Sequence, residues 1–434
     1  MHRGWLQLGH TEIANATRCI AYMRRGVRNG TAEIVTDESW PHLHQWLGKP
    51  EPYASPWEDD DCPWYDPDNP ASAEFAGVWV MGISGAEGTP VEREVIPAAV
   101  EGGAFGALRT PPREMNFEAL VIGGTPAGLT FGLEWLGQTL RGDPCEPDDG
   151  QGRSLLFLES QPPSDPRMTE QEVMAVGNGE SRMLARVALT EPLTVDERVG
   201  QWAAEGHGAT IARVSFQLTA AVPYVWQMPA PLVSGLRPVD GVKQTVRFEN
   251  VDKDGNCPAD CIDLDGGVLR DPDLPPLTVL PRPITPEAAA GCAPMESLRL
   301  TWRLEQGKIP SIGQTVPTVT VTAGPLDERN LRVQWAEGKP NTEQELSCAT
   351  MGEALIAYIP RRSTLTLDAV TGLATCLTAD GRVLDATGMV TGKYGGPWSP
   401  PVLRCGRPYT LVVDASRRVD LETTVDVMAT TRRA

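Results

Sequence analysis

Apolar residues along this chain recur mostly at every second position, the period of a strand with one buried face. Met183, Ala185, Val187 and Leu189 alternate with Leu184, Arg186 and Ala188, and Val214, Phe216 and Leu218 alternate with Ser215, Gln217 and Thr219. Arg153–Glu159 reads as another short strand. Toward the C-terminus Leu298, Leu300, Trp302 and Leu304 repeat in the same way, as do Val319 with Val321 and Leu331, Val333 with Trp335. The segment "LTLDAVTGLATCLT" reads as a hairpin folded near Thr371-Gly372. One stretch departs from this period. Leu129, Leu133, Leu136 and Leu140 form a single stripe at helical spacing. Thr125 is a good N-cap, Pro126 suits the first helical position, and Gly142 followed by Pro144 ends the run. The pattern predicts a helix over about 126–141 that Gly132 and Gly137 each weaken by about 1 kcal/mol, so that tertiary contact must hold it.

The start of that helix raises a question of chemistry. Gly123-Gly124-Thr125-Pro126-Ala127-Gly128-Leu129-Thr130 has the glycine spacing of a phosphate-binding loop. Such a loop needs a Lys after its second glycine, to place a charge on the β- and γ-phosphates. Leu129 stands there. The stretch therefore predicts a packing helix, with no nucleotide bound.

These patterns divide the chain in three. Residues 1–235 are mostly β with the one long helix between strands. Residues 236–295, with "DKDGNCPADCIDLDGG" and "DPDLPPLTVLPRPITPEAAAGC", are rich in Asp and Pro and read as an extended connector. Residues 296–434 carry strands at about ten-residue spacing, as an antiparallel β-sandwich does. Near the N-terminus Asp37 can cap a helical turn over Glu38–Leu47 that holds Trp40, Leu43 and Trp46. The loop "YASPWEDDDCPWYDPDNP", Tyr53–Pro70, then presents Trp57, Trp64 and Tyr65. These rings are costly to leave in water, so they pack either on their own domain or on a neighbouring subunit.

Composition narrows the function classes. A length of 434 residues calls for two or three domains. The formal net charge is −19 and the isoelectric point about 4.8, the wrong sign for general nucleic-acid binding. No apolar run approaches the roughly 18 residues of a membrane span. The N-terminus lacks the apolar stretch of a signal peptide. Nine widely spread cysteines fit synthesis in a reducing cytosol better than a disulfide scaffold.

Candidate chemistry is sparse. His42 and His44 could ligate a metal from an extended segment, but a helical turn points them apart. Cys257 and Cys261, with Cys292 further on, read as free thiols more readily than as a zinc site. Asp252, Asp254, Asn256 and Asp263 have the oxygen-ligand spacing of a calcium loop. Cys257 stands where that loop requires glycine, so the competing reading is a solvated acidic turn. No nucleophile elbow of the Gly-x-Ser-x-Gly type is present. The expectation is a chain that is not an enzyme and carries no cofactor.

Larger blocks carry a resemblance. "HRGWLQLGHTEIANATRCIAYM", "YASPWEDDDCPWYDP", "SAEFAGVWVMGISG" and "FEALVIGGTPAGLTFGLEWLGQTLRGDPC" resemble the minor tail proteins of actinobacterial siphophages, the distal tail protein group. "RMLARVALTEP", "VSFQLTAAVPYVW", "ALIAYIPRRSTLTLDAVTGLAT" and "GGPWSPPVLRCGRPYTLVVD" extend the resemblance over nearly the whole chain. It implies an N-terminal β-sandwich with an inserted α-helix, a connector, and a C-terminal galectin-like antiparallel β-sandwich. It also implies a structural part of the virion tail tip, made in the host cytoplasm. There it would form a homo-oligomer, usually a hexameric ring, joining the tail tube protein to the tail-tip hub protein and other minor tail proteins. The tape measure protein would be a further neighbour; neither a membrane nor a specific nucleic acid is among the partners. Trp57, Trp64, Tyr65 and Trp398 are then the interface candidates. The rival reading is a carbohydrate-binding module, with Trp398 and Tyr394 stacking on envelope glycans.

Overall fold

The computed structural model describes residues 1–26, 40–49, 53–98, 101–142, 150, 152–200, 208–240, 242–248, 293–305, 309, 313–393, 395–404, 406–416 and 419–432. The chain forms two compact units. Unit 1 comprises Met1–Met228 and Thr431–Ala434, and unit 2 comprises Pro229–Thr430. Both are built mainly from antiparallel strands.

Unit 1 contains β1 (Trp5–Leu8), β2 (Thr11–Asn15), β3 (Phe75–Ser84), β4 (Val95–Pro97), β5 (Gly103–Phe105) and β6 (Arg113–Gly123). Further along come β7 (Arg153–Leu158), β8 (Ser181–Gly200), β9 (Ala209–Ala220) and β10 (Trp226–Gln227). Its helices are α1 (Ala16–Gly26), α2 (Leu43–Trp46), α3 (Pro126–Arg141) and α4 (Glu170–Glu180). The strands run in the order β2-β1-β7-β8-β9-β6-β3, all antiparallel. The long strand β8 joins the two halves. Its first residues pair with β7, and from Val187 onward it pairs with β9. The end of the chain returns to this unit, where Arg432 pairs with Trp226 and its guanidinium lies 3.6 Å from the centre of the Tyr224 ring.

The alternation read from β8 changes phase. Arg186 has φ 56°, and the β7–β8 register shifts between Leu155 and Arg153. Leu184 and Val187 therefore enter the main core, whereas Met183 and Ala185 do not. Strict period-2 counting across this bulge put Met183 and Ala185 on the core face, and a single left-handed residue reverses that assignment. In β9, which has no such interruption, Val214, Phe216 and Leu218 are buried as read.

Helix α3 packs over β6, β9, β3 and β8. Thr125 accepts a hydrogen bond from the Gly128 amide, Pro126 is the first helical residue and Gly142 is the C-cap. Leu129, Leu136 and Leu140 are fully buried, and Leu133 is partly buried against the same core. The glycines of the phosphate-loop lookalike serve contact instead. A methyl at Gly128 would sit 2.3 Å from the Glu74 carbonyl oxygen, and that oxygen also accepts the Gly124 amide. The Glu74 carboxylate receives the Thr125 hydroxyl at the helix start, a place where a negative charge is favoured.

Two further helices of unit 1 lie outside the helix and strands read above. Helix α1 starts at Asn15, whose side chain accepts the Arg18 amide. Helix α4 begins with a complete capping box, Thr169 with Glu172. The turn read over Glu38–Leu47 is α2, with Trp40 and Leu43 buried beside Trp5, Leu158 and Val173; Asp37 and Glu38 are outside the described residues.

Unit 2 contains β11 (Ala230–Leu236), β12 (Val242–Phe248), β13 (Ala293–Leu304), β14 (Gln314–Thr322), β15 (Glu328–Glu337) and β16 (Thr350–Ile359). These are followed by β17 (Thr364–Asp368), β18 (Leu373–Leu377), β19 (Val383–Asp385), β20 (Val390–Thr391), β21 (Leu403–Arg404), β22 (Tyr409–Ser416) and β23 (Thr424–Arg432), with helix α5 (Glu343–Ala349) after β15. One sheet has the order β12-β13-β22-β15-β16-β20. The other runs β19-β18-β17-β14-β23, with β11 on β23 and β21 on β14. Strand β12 lies in the stretch read as connector and pairs with the start of β13.

Their facing sides bury Val319, Val321, Leu365, Leu367, Val425 and Val427 from one sheet against Leu331, Val333, Trp335, Ile356, Leu411 and Val413 from the other. The turn of the β17–β18 hairpin is fixed by Asp368, which accepts the Val370 amide and the Thr371 hydroxyl while Gly372 adopts φ 73°. On β22 the buried Asp414 takes the Arg299 guanidinium with two contacts, at 2.6 and 3.0 Å, and a second guanidinium from Arg332 at 2.9 Å.

Two of the three α3 glycines predict opposite outcomes. A methyl at Gly132 would lie 2.4 Å from the Phe75 ring, whereas one at Gly137 would meet only the end of Leu193, at 3.9 Å. Gly132→Ala is expected to destabilise unit 1 by about 1–3 kcal/mol through overpacking. Gly137→Ala should stabilise it by roughly 0.5–1 kcal/mol through helix propensity. Urea unfolding followed by circular dichroism checks both signs.

Candidate interaction surfaces

The aromatic loop over Tyr53–Pro70 is held from beneath by one buried cation. Arg18 is 2% exposed, with its Nε 3.1 Å from Glu12 Oε1 and its Nη1 3.4 Å from Asp59 Oδ2. The same nitrogen donates to the Asp61 carbonyl at 2.9 Å, and the guanidinium lies 4.6 Å from the centre of the Tyr53 ring. Glu12 also accepts from Trp5 Nε1 and Asn15 Nδ2, and Tyr22 donates to Asp59 at 2.6 Å. Every acidic member thus has a donor, as buried charge requires. Burial holds the Glu12 carboxyl above its ordinary range even though Arg18 pulls it down. Burial alone would lower Arg18, and Glu12 with Tyr22, Tyr53 and Asp59 raises it instead.

Within the loop the three sequence candidates part company. Trp64 is buried; its Nε1 donates to the Phe75 carbonyl at 3.1 Å, and its ring meets Phe75, Trp135 and Tyr22 at 4.8, 5.3 and 5.9 Å. Its apolar surface is therefore used within its own unit. Tyr65 is half-buried. Trp57 is 54% exposed and faces outward. Trp398, the fourth candidate, is half-buried against the unit 2 core. With Trp335, Pro317 and Pro401 it lines a cavity of about 10 Å³, room for one water molecule. Tyr394 lies outside the described residues.

The metal candidates resolve less fully. Asp252, Asp254, Asn256 and Asp263 lie outside the described residues, as do Cys257, Cys261 and Cys292. His42 and His44 are both buried. The two His42 ring nitrogens lie within hydrogen-bonding distance of Gln45 Oε1 and the Asp165 carbonyl. Among the described residues no three His, Cys, Asp or Glu side chains come together as a metal site would require.

Several exposed apolar side chains among the described residues lie together on a segment between β3 and β6. Between β3 and β6 the chain forms a separate two-stranded hairpin whose strands are β4 and β5. Val95 and Phe105 face each other directly, and Arg93 lies 5.6 Å over the Phe105 ring on the same side. Glu92 and Arg109 exchange both backbone hydrogen bonds further down. Val91, Val95, Ile96, Phe105 and Leu108 are all more than half exposed, Phe105 at 70%. The root is firmly anchored. Arg113, 2% exposed, donates to the Pro223 carbonyl at 2.7 Å and to the Gly85 and Ala86 carbonyls at 3.1 and 2.9 Å. Gly85 has φ 79°, and any side chain there would collide with the Glu114 carbonyl oxygen. The Gly102-Gly103 pair between two short apolar runs was a weak turn signal. It gave no sign of how exposed the hairpin would be.

Unit 2 carries a second buried acidic pair. Glu328, 1% exposed, accepts the Asp420 amide at 2.7 Å and the Thr423 hydroxyl at 2.6 Å, while Asp420 accepts the Leu326 and Glu422 amides. Burial pushes the Glu328 carboxyl up, and the nearby Asp420 charge adds to the effect. This pair fastens two turns whose tips, Leu326 and Leu421, are exposed.

No family model matches the chain, and no curated protein matches it. Among solved structures it is similar to the Dit (gp 19.1) protein of phage SPP1, described as a paradigm of the hub adsorption apparatus in phages that infect Gram-positive bacteria. That similarity has a TM-score of 0.32 and 11% identity over 80% of this chain and 94% of that one. It is also similar to a chain of the phage p2 baseplate in its activated conformation with Sr, with a TM-score of 0.38 and 8% identity over 82% of this chain and 91% of that one. Likeness at this level carries no argument about function.

The two buried acidic groups make separate predictions. Arg18→Met leaves Glu12 and Asp59 buried without their cation, and thermal unfolding should report a loss of about 3–5 kcal/mol in unit 1. Glu328 binds its proton more tightly when folded, so unit 2 should lose stability as pH rises from its ordinary value of 4.5 upward. Glu328→Gln should flatten that slope and leave the variant more stable than the natural chain at neutral pH. Chemical unfolding at pH 4 to 8 would expose the opposite sign.

Proposed function

We propose that this chain is a structural component of a phage tail tip, a distal or minor tail protein that assembles into a ring. In this reading the ring joins the tail tube to the tail-tip hub and to host-binding proteins. One observation carries the reading: among the described residues, an anchored hairpin leaves Val91, Val95, Ile96, Phe105 and Leu108 more than half exposed. A two-stranded hairpin is marginal in water by itself, and a concentrated exposed apolar patch marks a contact surface. The sequence blocks that resemble minor tail proteins supply the identity of the assembly. They run through both units. Trp57 and Tyr65 are the loop residues left available for a neighbouring subunit, while Trp64 holds the loop in place. The acidic surface suits protein partners better than nucleic acid.

Rings of a single size are the expected outcome when the purified full chain is weighed by native mass spectrometry and imaged by negative-stain electron microscopy. The proposal fails if the chain stays monomeric at every concentration, both alone and with isolated tail tubes. It also fails if the purified chain turns over cell-wall polymer.

A further inference from the structure

We propose that Glu328 and Asp420 hold a single proton between them, and that this proton locks three turns at one end of unit 2. The turns are 323–327 after β14, 360–363 after β16 and 419–423 before β23. The Leu326 amide donates to Asp420 Oδ2 at 2.8 Å, and the Gly324 amide to the Thr423 hydroxyl at 3.3 Å. The Asp420 amide and the Thr423 hydroxyl both donate to Glu328 Oε1, at 2.7 and 2.6 Å. The third turn joins through the Arg362 amide, which donates to the Gly324 carbonyl, and the Arg361 amide, which donates to Asp327. Asp420 packs so closely on Gly324 that a methyl there would lie 2.6 Å from its carboxyl.

Burial makes the proton necessary. Glu328 is 1% exposed and Asp420 8%. Among the described residues no cation pairs with either one, whereas Asp414 in the same unit takes two guanidinium groups. Two neighbouring carboxylates out of water repel each other, so the favoured state has one of them neutral. The hydrogen bonds decide which. Each Asp420 oxygen accepts a backbone amide, from Glu422 at Oδ1 and from Leu326 at Oδ2, and such donors favour the charged form. Glu328 makes its bonds at Oε1, which leaves Oε2 to carry the proton. Burial, and then the Asp420 charge, hold the Glu328 carboxyl above its ordinary value of 4.5. The other charged groups nearby, Asp327, Arg361, Arg362 and Glu422 on the turns and Arg329 on β15, are exposed, and solvent screens them. Tyr358 on β16 hydrogen-bonds to Asp327.

The lock opens in one direction of pH. Because the folded protein holds the proton more tightly, the lock is complete below pH 4.5 and is lost as pH rises through the folded value. The opening is local. The turn tips Leu326 and Leu421 are already exposed, so loosening them uncovers little apolar surface.

Hydrogen exchange of the full chain, read by mass spectrometry from pH 4 to 8 and corrected for intrinsic rates, tests the lock. Protection of the Leu326, Asp420 and Arg362 amides should fall above pH 4.5 by up to about tenfold per pH unit, the limit for one proton, and then level off. Low urea should leave that exchange unchanged, because a local opening exposes little surface. Glu328→Gln should abolish the fall and keep the turns protected at neutral pH. Glu422→Gln, at an exposed neighbouring carboxyl, should retain it. Carbon NMR of the natural chain needs no variant: the Glu328 carboxyl should titrate above that of exposed Glu422. A flat protection profile, a fall that survives Glu328→Gln, or a Glu328 carboxyl titrating with Glu422 overturns the proposal. A fall abolished by Asp420→Asn alone puts the proton on the other carboxyl and overturns its assignment. Turn amides that exchange only together with β14 and β17, at the same urea dependence, overturn the local lock.

Discussion

The seating of helix α3 on its sheet is the contact on which unit 1 depends. Gly128 and Gly132 bring the helix backbone against the Glu74 carbonyl and the Phe75 ring, closer than any side chain would permit. That approach sets the position of Trp135, which meets Trp64, and Trp64 in turn anchors the aromatic loop whose acidic part is tied to Arg18. A helix displaced by one methyl group would loosen this series of contacts in order. Close-packed interiors transmit such strain because they hold few voids to absorb it.

Most of the regular structure was legible because it follows from periodicity. The α3 boundaries were set by Thr125, Pro126 and Gly142, and the β9, β15 and β17–β18 patterns by unbroken alternation. Alternation failed at β8, where Arg186 adopts a left-handed conformation that neither its residue type nor its neighbours announce. Helix α4 had a signal, Thr169-x-x-Glu172, but its interior has little apolar periodicity to confirm it. The strand β12 was hidden for a different reason. Its partner β13 lies more than forty residues away, and a short, largely polar strand beside Pro-rich sequence gives no local sign of that pairing.

The interaction surfaces were less legible still, because exposure is a tertiary property. Trp57 and Trp64 are seven residues apart in one loop and have the same chemistry, yet one faces solvent and the other is a structural anchor. What separates them is the company each keeps: Phe75, Trp135 and Tyr22 arrive from distant parts of the chain to surround Trp64. The hairpin shows the reverse case. Val95, Ile96 and Phe105 are residue types usually found inside, yet among the described residues all three are more than half exposed.

Charge and apolar surface act on different length scales in this molecule. The net charge keeps copies apart at distances beyond the Debye length, roughly 8–10 Å at moderate salt. Apolar contact acts only once surfaces touch. Within the fold the same division appears: Arg18 and Asp414 bring their counter-ions indoors, while the surplus carboxylates stay in solvent.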